Sequence, residues 1–274
     1  VGDVRYGVLG AVEDEALWLG RSLLDAPIEV SGDGRDFGVA RLIYENVGDT
    51  RRSLGYMGTF VGGPVYDATV HSVDGHFTSR SGKLIADAQI IASDRSEEQG
   101  YGGVFDLMYN VAPNLSHKFE MDYMDENINF NDLGFLRRND YGSFRYMLLY
   151  NKQRISPQVS NFRMTLTAFQ EYNTTESQVT DSALLWRTSM VLPGRNTLRT
   201  GVGLLPARYE DLDSRGNGAY KVETGGWFEL ALTTDAAKMF SYTAYISSIR
   251  EDLGDWTHGI WAGVTIRPID AISF

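Results

Sequence analysis

The segment Ser143-Phe144-Arg145-Tyr146-Met147-Leu148-Leu149-Tyr150 constrains this chain more than any other. Successive side chains of a β-strand leave opposite faces of its sheet. Every second residue gives Phe144, Tyr146, Leu148 and Tyr150 on one face, apolar and aromatic throughout. The other face carries Ser143, Arg145, Met147 and Leu149, then Asn151. Two kinds of protein use such a strand: a soluble sheet with one buried face, or a barrel wall with lipid on one side and water on the other.

The alternation recurs along the chain. In 83–93, Leu84, Ala86, Ala88, Ile90 and Ala92 oppose Asp87, Gln89 and Ser93. In 102–111, Phe105, Leu107, Tyr109 and Val111 oppose Asp106, Met108 and Asn110. In 117–124, Phe119, Met121 and Tyr123 oppose Lys118, Glu120 and Asp122. Further strands are expected at 4–13, 37–47, 51–61, 65–73, 141–152, 161–170, 182–192, 197–206, 220–233, 239–249 and 259–266. A loop over 14–34 carries a candidate helix at 15–24. The result is roughly fourteen strands of about ten residues, longer than the usual five or six and long enough to cross a bilayer at a tilt.

Loop lengths point the same way. Short turns at Gly48-Asp49, Pro113-Asn114 and Gly194-Arg195 alternate with long polar loops at 125–140, 208–218 and 251–258, the outer-membrane pattern of short turns on one rim and long loops on the other. Charges of both signs sit at mid-strand: Asp87, Glu120, Asp122, Arg145, Arg163, Arg187 and Glu229. A water-filled lumen accommodates them where a greasy core does not. Tyr109, Tyr123, Tyr141, Tyr150 and Tyr172 fall near strand ends, as interfacial girdles do. The expected fold is all-β: an antiparallel up-and-down transmembrane β-barrel of fourteen or more strands, one domain over 1–274, in the outer membrane.

Bulk properties exclude other classes. The net charge of −11 argues against a nucleic-acid partner. No run of about 18 apolar residues is present, so no transmembrane helix is expected. The sequence starts at Val1 without a signal peptide. Counting back by twos from Phe274 gives Ile272, Asp270 and Pro268, which is no continuous apolar face. A turn over 267–270 followed by a new strand at 271–274 is the expectation, and with it a longer parent chain.

The segment Phe130-Asn131-Asp132-Leu133-Gly134-Phe135-Leu136-Arg137-Arg138-Asn139-Asp140 resembles a motif of the DUF5916 family. Arg5-Tyr6-Gly7-Val8-Leu9, Gly38-Val39-Ala40-Arg41-Leu42 and Gly55-Tyr56-Met57-Gly58-Thr59 are similar to other stretches of that family. The resemblance implies the C-terminal outer-membrane barrel of a protein whose N-terminal part is a sugar-binding-like β-sandwich, and further strands after Phe274. It implies no activity.

For chemistry, Arg137 and Arg138 with Asp132 and Asp140 form the sharpest polar cluster. Two readings stand: arginines that grip an anionic or saccharide ligand by forked hydrogen bonds, or a loop held by its own Arg–Asp pairs with Leu133, Phe135 and Leu136 as anchor. Arg145, Arg163, Arg187 and Glu229 complete the candidate ligand-binding residues of loop and lumen. Inward aromatics such as Trp227 and Trp261 favour a binding barrel. His71, His76, His117 and His258 lack metal-ligand spacing, and Glu210, Asp211 and Asp213 lack a full calcium-loop signature, so no metal and no cofactor are expected. Gly100-Tyr101-Gly102-Gly103 lacks the Lys-Ser/Thr of a phosphate loop and reads as a turn opening a strand. No Gly-x-Ser-x-Gly elbow is present, so the chain is not expected to be an enzyme. The expected function is a pore, scaffold or outer-membrane component of a complex. The alternatives are a plugged barrel gripping a saccharide or protein, and a membrane-rim hydrolase. Outer-membrane lipid is the expected partner.

Overall fold

The computed structural model describes residues 2–21, 27–214, 217–250 and 254–267. The chain is all-β and antiparallel, as the alternation requires. Its strands are β1 Gly2–Val12, β2 Ala16–Arg21, β3 Pro27–Gly32, β4 Asp36–Val47, β5 Arg51–Gly62, β6 Ala68–Thr78, β7 Leu84–Arg95, β8 Glu98–Ala112 and β9 Leu115–Met124, followed by β10 Tyr141–Ser156, β11 Val159–Tyr172, β12 Val179–Leu192, β13 Asn196–Leu205, β14 Arg208–Glu210, β15 Tyr220–Val222, β16 Gly225–Thr233, β17 Phe240–Arg250 and β18 Trp256–Ile266. Fourteen of them pair in one sheet, in the order β1-β4-β5-β6-β7-β8-β9-β10-β11-β12-β13-β16-β17-β18. The order is that of the chain once two inserted hairpins, β2-β3 and β14-β15, are set aside. This is the expected up-and-down meander.

Three local expectations are corrected. The candidate helix at 15–24 is the β2-β3 hairpin over its described residues, while 22–24 lie outside those described. Leu17 and Leu19 repeat at period two, which suits a strand and gives a helix no continuous stripe. The single strand expected at 220–233 is broken at Glu223-Thr224 into β15 and β16. The strand expected at 65–73 lies further on, and its turn follows Thr78. The strand expected at 271–274 falls outside the described residues.

The chain divides into two compact units, 1–106 with 122–142, and 107–121 with 143–274. In the first, register runs straight across five strands. Tyr6 pairs with Leu42, Leu42 with Tyr56, Tyr56 with Val73, and Val73 with Ile90. This apolar row is exposed: Tyr6 is 84% accessible, Ile90 70% and Val73 48%. One residue along, on the opposite face, the row reads Arg5, Ile43, Gly55, Asp74, Gln89. Arg41 there donates to both carboxylate oxygens of Asp74, at 2.5 and 2.9 Å.

The second unit repeats the scheme. Leu166, Trp186, Val202 and Phe228 align across β11, β12, β13 and β16, and the last three are exposed. The adjacent row on the other face is Thr165, Arg187, Gly201, Glu229 and Ser247. Burying such a side chain fully is worth roughly 1.5–3 kcal/mol, so a layered water-soluble fold would cover these rows. Among the described residues no second layer lies on them.

Candidate functional site: the loop on the polar face

The 16-residue loop 125–140 joins β9 to β10 and folds back onto the polar face of the first unit. Its neck is closed by Asp125. The Asp125 N–H donates to Tyr101 O at 3.0 Å, and its carbonyl accepts from Asp140 N at 3.0 Å. The carboxylate accepts from Tyr101 N at 2.7 Å with one oxygen, and from Asn127 N at 3.1 Å and Ile128 N at 2.7 Å with the other. Short Asx-type bonds of this kind let a polar residue bend backbone with no sheet partner. The Asn139 side chain donates to Glu126 O. Arg138, 8% exposed, donates to the carbonyls of Asn139 and Asp140.

Beyond the neck the loop is fixed to the wall in two ways. Ile128, 1% exposed, meets Ile91 and Met124 in a small core flanked by Val70, Val104, Phe130, Leu136 and Tyr141. Polar bonds extend it. Asn129 N donates to Ser93 Oγ at 3.0 Å, and the Tyr66 hydroxyl donates to Asp132 Oδ1 at 2.6 Å. Arg95 reaches Asp132 Oδ2 at 3.6 Å, and its guanidinium lies 4.1 Å from the Tyr66 ring centroid. At the same end of the strands, Glu13 accepts from Arg35 Nε at 3.0 Å and raises that guanidinium's pKa.

Two glycines of β8 make the approach feasible. A Cβ on Gly100 would lie 2.2 Å from Ile128 N, and one on Gly102 would lie 2.7 Å from Ile128 Cδ1. Gly100-Tyr101-Gly102-Gly103 is therefore strand, and its missing side chains admit the loop. Sequence reasoning missed these residues. An isolated Gly inside a strand pattern, which signals close backbone approach, was the available clue.

The structure separates the candidate ligand residues into two groups. Asp132, Arg137, Arg138 and Asp140 belong to the first unit and Arg145, Arg163, Arg187 and Glu229 to the second. In the first group Asp132 engages Tyr66 and Arg95, and Arg138 braces its own loop, while Arg137 is exposed. Of the expected anchors, Leu136 packs on the core but Phe135 is 84% exposed. Ile128 and Phe130 hold the position expected for Phe135.

In the second group Arg145 donates to Glu120 at 3.1 Å and sits 4.7 Å from the Phe169 ring centroid. Arg187 lies 4.7 Å from the Trp227 ring centroid. Arg163 is exposed near Asn151 and Lys152, and Glu229 is half-buried opposite Gly201. His71 bonds to Tyr56 and His117 to Tyr146, each at 2.8 Å, while His76 bonds to Asp87 at 2.6 Å and to Thr78 Oγ1 at 2.9 Å.

Comparisons with known proteins give a family and two distant folds. A family model described as "Domain of unknown function (DUF5916)" matches residues 58–270. No curated protein matches the sequence. A crystal structure of Pseudomonas aeruginosa OpdL aligns over 97% of this chain and 93% of its own, at 12% identity and a TM-score of 0.45. A structure titled bacterial polysaccharide outer membrane secretin aligns over 96% of each chain, at 11% identity and a TM-score of 0.30. At this level of similarity the fold assignment rests on the chain's own strand pairing.

Proposed function

We propose, for a chain that belongs to the DUF5916 family, that it forms the wall of an outer-membrane β-barrel whose lumen is narrowed by the loop 125–140. The observation that carries this is the exposed apolar row Tyr6-Leu42-Tyr56-Val73-Ile90, set back to back with a polar face that the loop covers. An apolar surface of this extent is stable where the surrounding medium is acyl chain rather than water. Closure of the strand order between β1 and β18 belongs to the same proposal, because in lipid an unpaired sheet edge leaves backbone groups unsatisfied.

The role is passive rather than catalytic. The wall partitions into outer-membrane lipid, the charged ladder on the polar face solvates a water path, and the fastened loop sets its bore. The fastening also favours a second reading, a plugged barrel that works by binding a saccharide or protein on its loops. In that reading Arg137, exposed on the loop, and Arg145, Arg163, Arg187 and Glu229 on the strands offer ligand contacts.

Planar-bilayer conductance separates the two. The conduit reading expects stepwise currents from the purified protein, which grow when Gly100→Val displaces the loop. Silence from both proteins, with the barrel shown folded by heat-modifiable gel mobility, overturns the conduit and leaves the binding barrel.

A further inference from the structure

Between the loop and the wall of the first unit lies a cavity of about 340 Å³, roofed by Phe130, Leu133 and Gly134 of the family motif and floored by β5 to β8 with the end of β9. Its lining is mostly carbon, with Met57 and Met124 among the floor residues. Methionine is the side chain that adapts best to irregular ligands. Three lining side chains are polar, Thr59, Ser72 and Gln89, and among them Ser72 carries a buried atom without a partner. Ser72, in the middle of β6, is 3% exposed, and its Oγ has no hydrogen-bond partner. It lines the cavity between Met57 and Ile91, its neighbours in register.

An orphaned buried hydroxyl costs the fold its desolvation energy and returns nothing. Apolar cavities, in turn, take up apolar guests rather than water. We infer that this cavity is a binding site for a small, uncharged, mainly apolar molecule carrying one hydrogen-bonding group, of the size of a short-chain alkylphenol, with Ser72 meeting that group. The volume sits at the lower end of the roughly 300–1,000 Å³ typical of ligand pockets, which sets the size. No lining residue is charged, and Arg41 and Asp74 on the same face satisfy one another, so the lining itself offers an ionised ligand no countercharge.

Leu133 sets the length limit. The same side chain also lines a second apolar cavity of about 230 Å³, with Leu9, Ala11, Phe37 and Val39. It stands as a partition between the two chambers. The motif residues Leu133 and Gly134 thus act as roof and divider of a binding site. Gly134 is required there, because a Cβ would lie 2.8 Å from Phe130 O and force the roof open. The inference concerns the first unit alone and does not depend on whether the barrel conducts.

The test uses 4-butylphenol and butylbenzene, which differ by one hydroxyl. Binding is measured by saturation-transfer NMR on the protein in lipid nanodiscs, with empty nanodiscs as blank. The expected result is saturable binding of both ligands by the wild-type protein. Ser72→Ala weakens the phenol about fivefold to tenfold, leaves butylbenzene within about twofold, and raises the stability of the unliganded protein. Val104→Phe fills the cavity and removes both signals; if that variant does not fold, Thr59→Leu is expected to weaken both. Leu133→Ala shifts the preference toward octylphenol. Signals that survive cavity filling, equal loss of both ligands in Ser72→Ala, or no saturable binding by the wild-type protein overturn the proposal.

Discussion

The two units repeat one two-faced strand pattern and differ in what lies on the polar face of each. In the first, the polar face has become a small interior. Val61, Ala68, Ile91, Met124 and Ile128 are buried there, although the strands beneath carry Arg41, Asp74 and Asp87. In the second, the polar face is held by contacts between neighbouring strands: Glu120 with Arg145 and Lys118, Arg145 over Phe169, and Arg187 over Trp227. The contrast shows that the loop adds the cluster of Ile91, Met124 and Ile128 to the strand pattern, beyond isolated burial such as that of Val222 and Ala231 in the second unit. A two-faced wall has no inside until something is laid upon it. Here a 16-residue connection supplies the apolar residues, and glycines at 100 and 102 supply the room.

The largest expected effect breaks that core. Ile128→Ala removes the most buried side chain of the loop and should cost about 2–5 kcal/mol, read as urea unfolding of the vesicle-inserted protein. Protease nicking of 125–140 should rise with it. A matching truncation in the second unit, Phe169→Ala, should leave that nicking unchanged. Equal sensitivity of the loop to both substitutions breaks the comparison.

Next in size is the outer face, where both units should respond alike. Val73→Arg and Val202→Arg should each cost about 2–4 kcal/mol in a bilayer. An exposed position in water tolerates such a change within about 0.5 kcal/mol, so near-neutral values for either variant contradict lipid contact on that unit.

A smaller effect sharpens how the loop is fastened. Tyr66→Phe deletes the hydroxyl that donates to Asp132 at 2.6 Å and should cost about 0.5–1.5 kcal/mol. Hydrogen exchange at Asn131 and Leu136 should accelerate while that at Ile128 stays slow. Loss of protection at all three would place the polar latch above the apolar core in importance.

The smallest effect is expected in the second unit. Arg187→Gln removes an exposed cation stacked on Trp227 and should change stability by under about 1 kcal/mol. Its measurable consequence is a red shift of Trp227 emission as the ring loses its cover, scored against a Trp227→Phe background. An unchanged spectrum removes the stack from the account.

The sequence made the wall legible and the loop only partly so. Period-two alternation in 143–150 and 83–93 is a local signal, and register followed from it because a one-residue slip would exchange the two faces. The loop is different. Asp132 looked like a partner for Arg137 and Arg138 because they are near in sequence. The structure joins it to Tyr66 and Arg95, 66 and 37 residues away. Phe135 looked like an anchor because it is large and apolar, yet Ile128, ahead of the motif, takes that role. No spacing rule reports which residue of an irregular loop meets a glycine notch in a distant strand. The β2-β3 hairpin was hidden for another reason: Leu17 and Leu19 repeat at period two over too short a run to mark a strand before its pairing partner is known.

Central to the account is that the two faces of each strand meet different media. Nitroxide labels placed singly from 143 to 150, in the protein reconstituted in vesicles, test this on the opening segment. Collision with oxygen, which concentrates in lipid, should peak at 144, 146, 148 and 150. Collision with a water-soluble nickel chelate should peak at 143, 145, 147 and 149. Even-numbered labels that collide with neither reagent, as in a packed protein core, or with the nickel chelate alone, would contradict it.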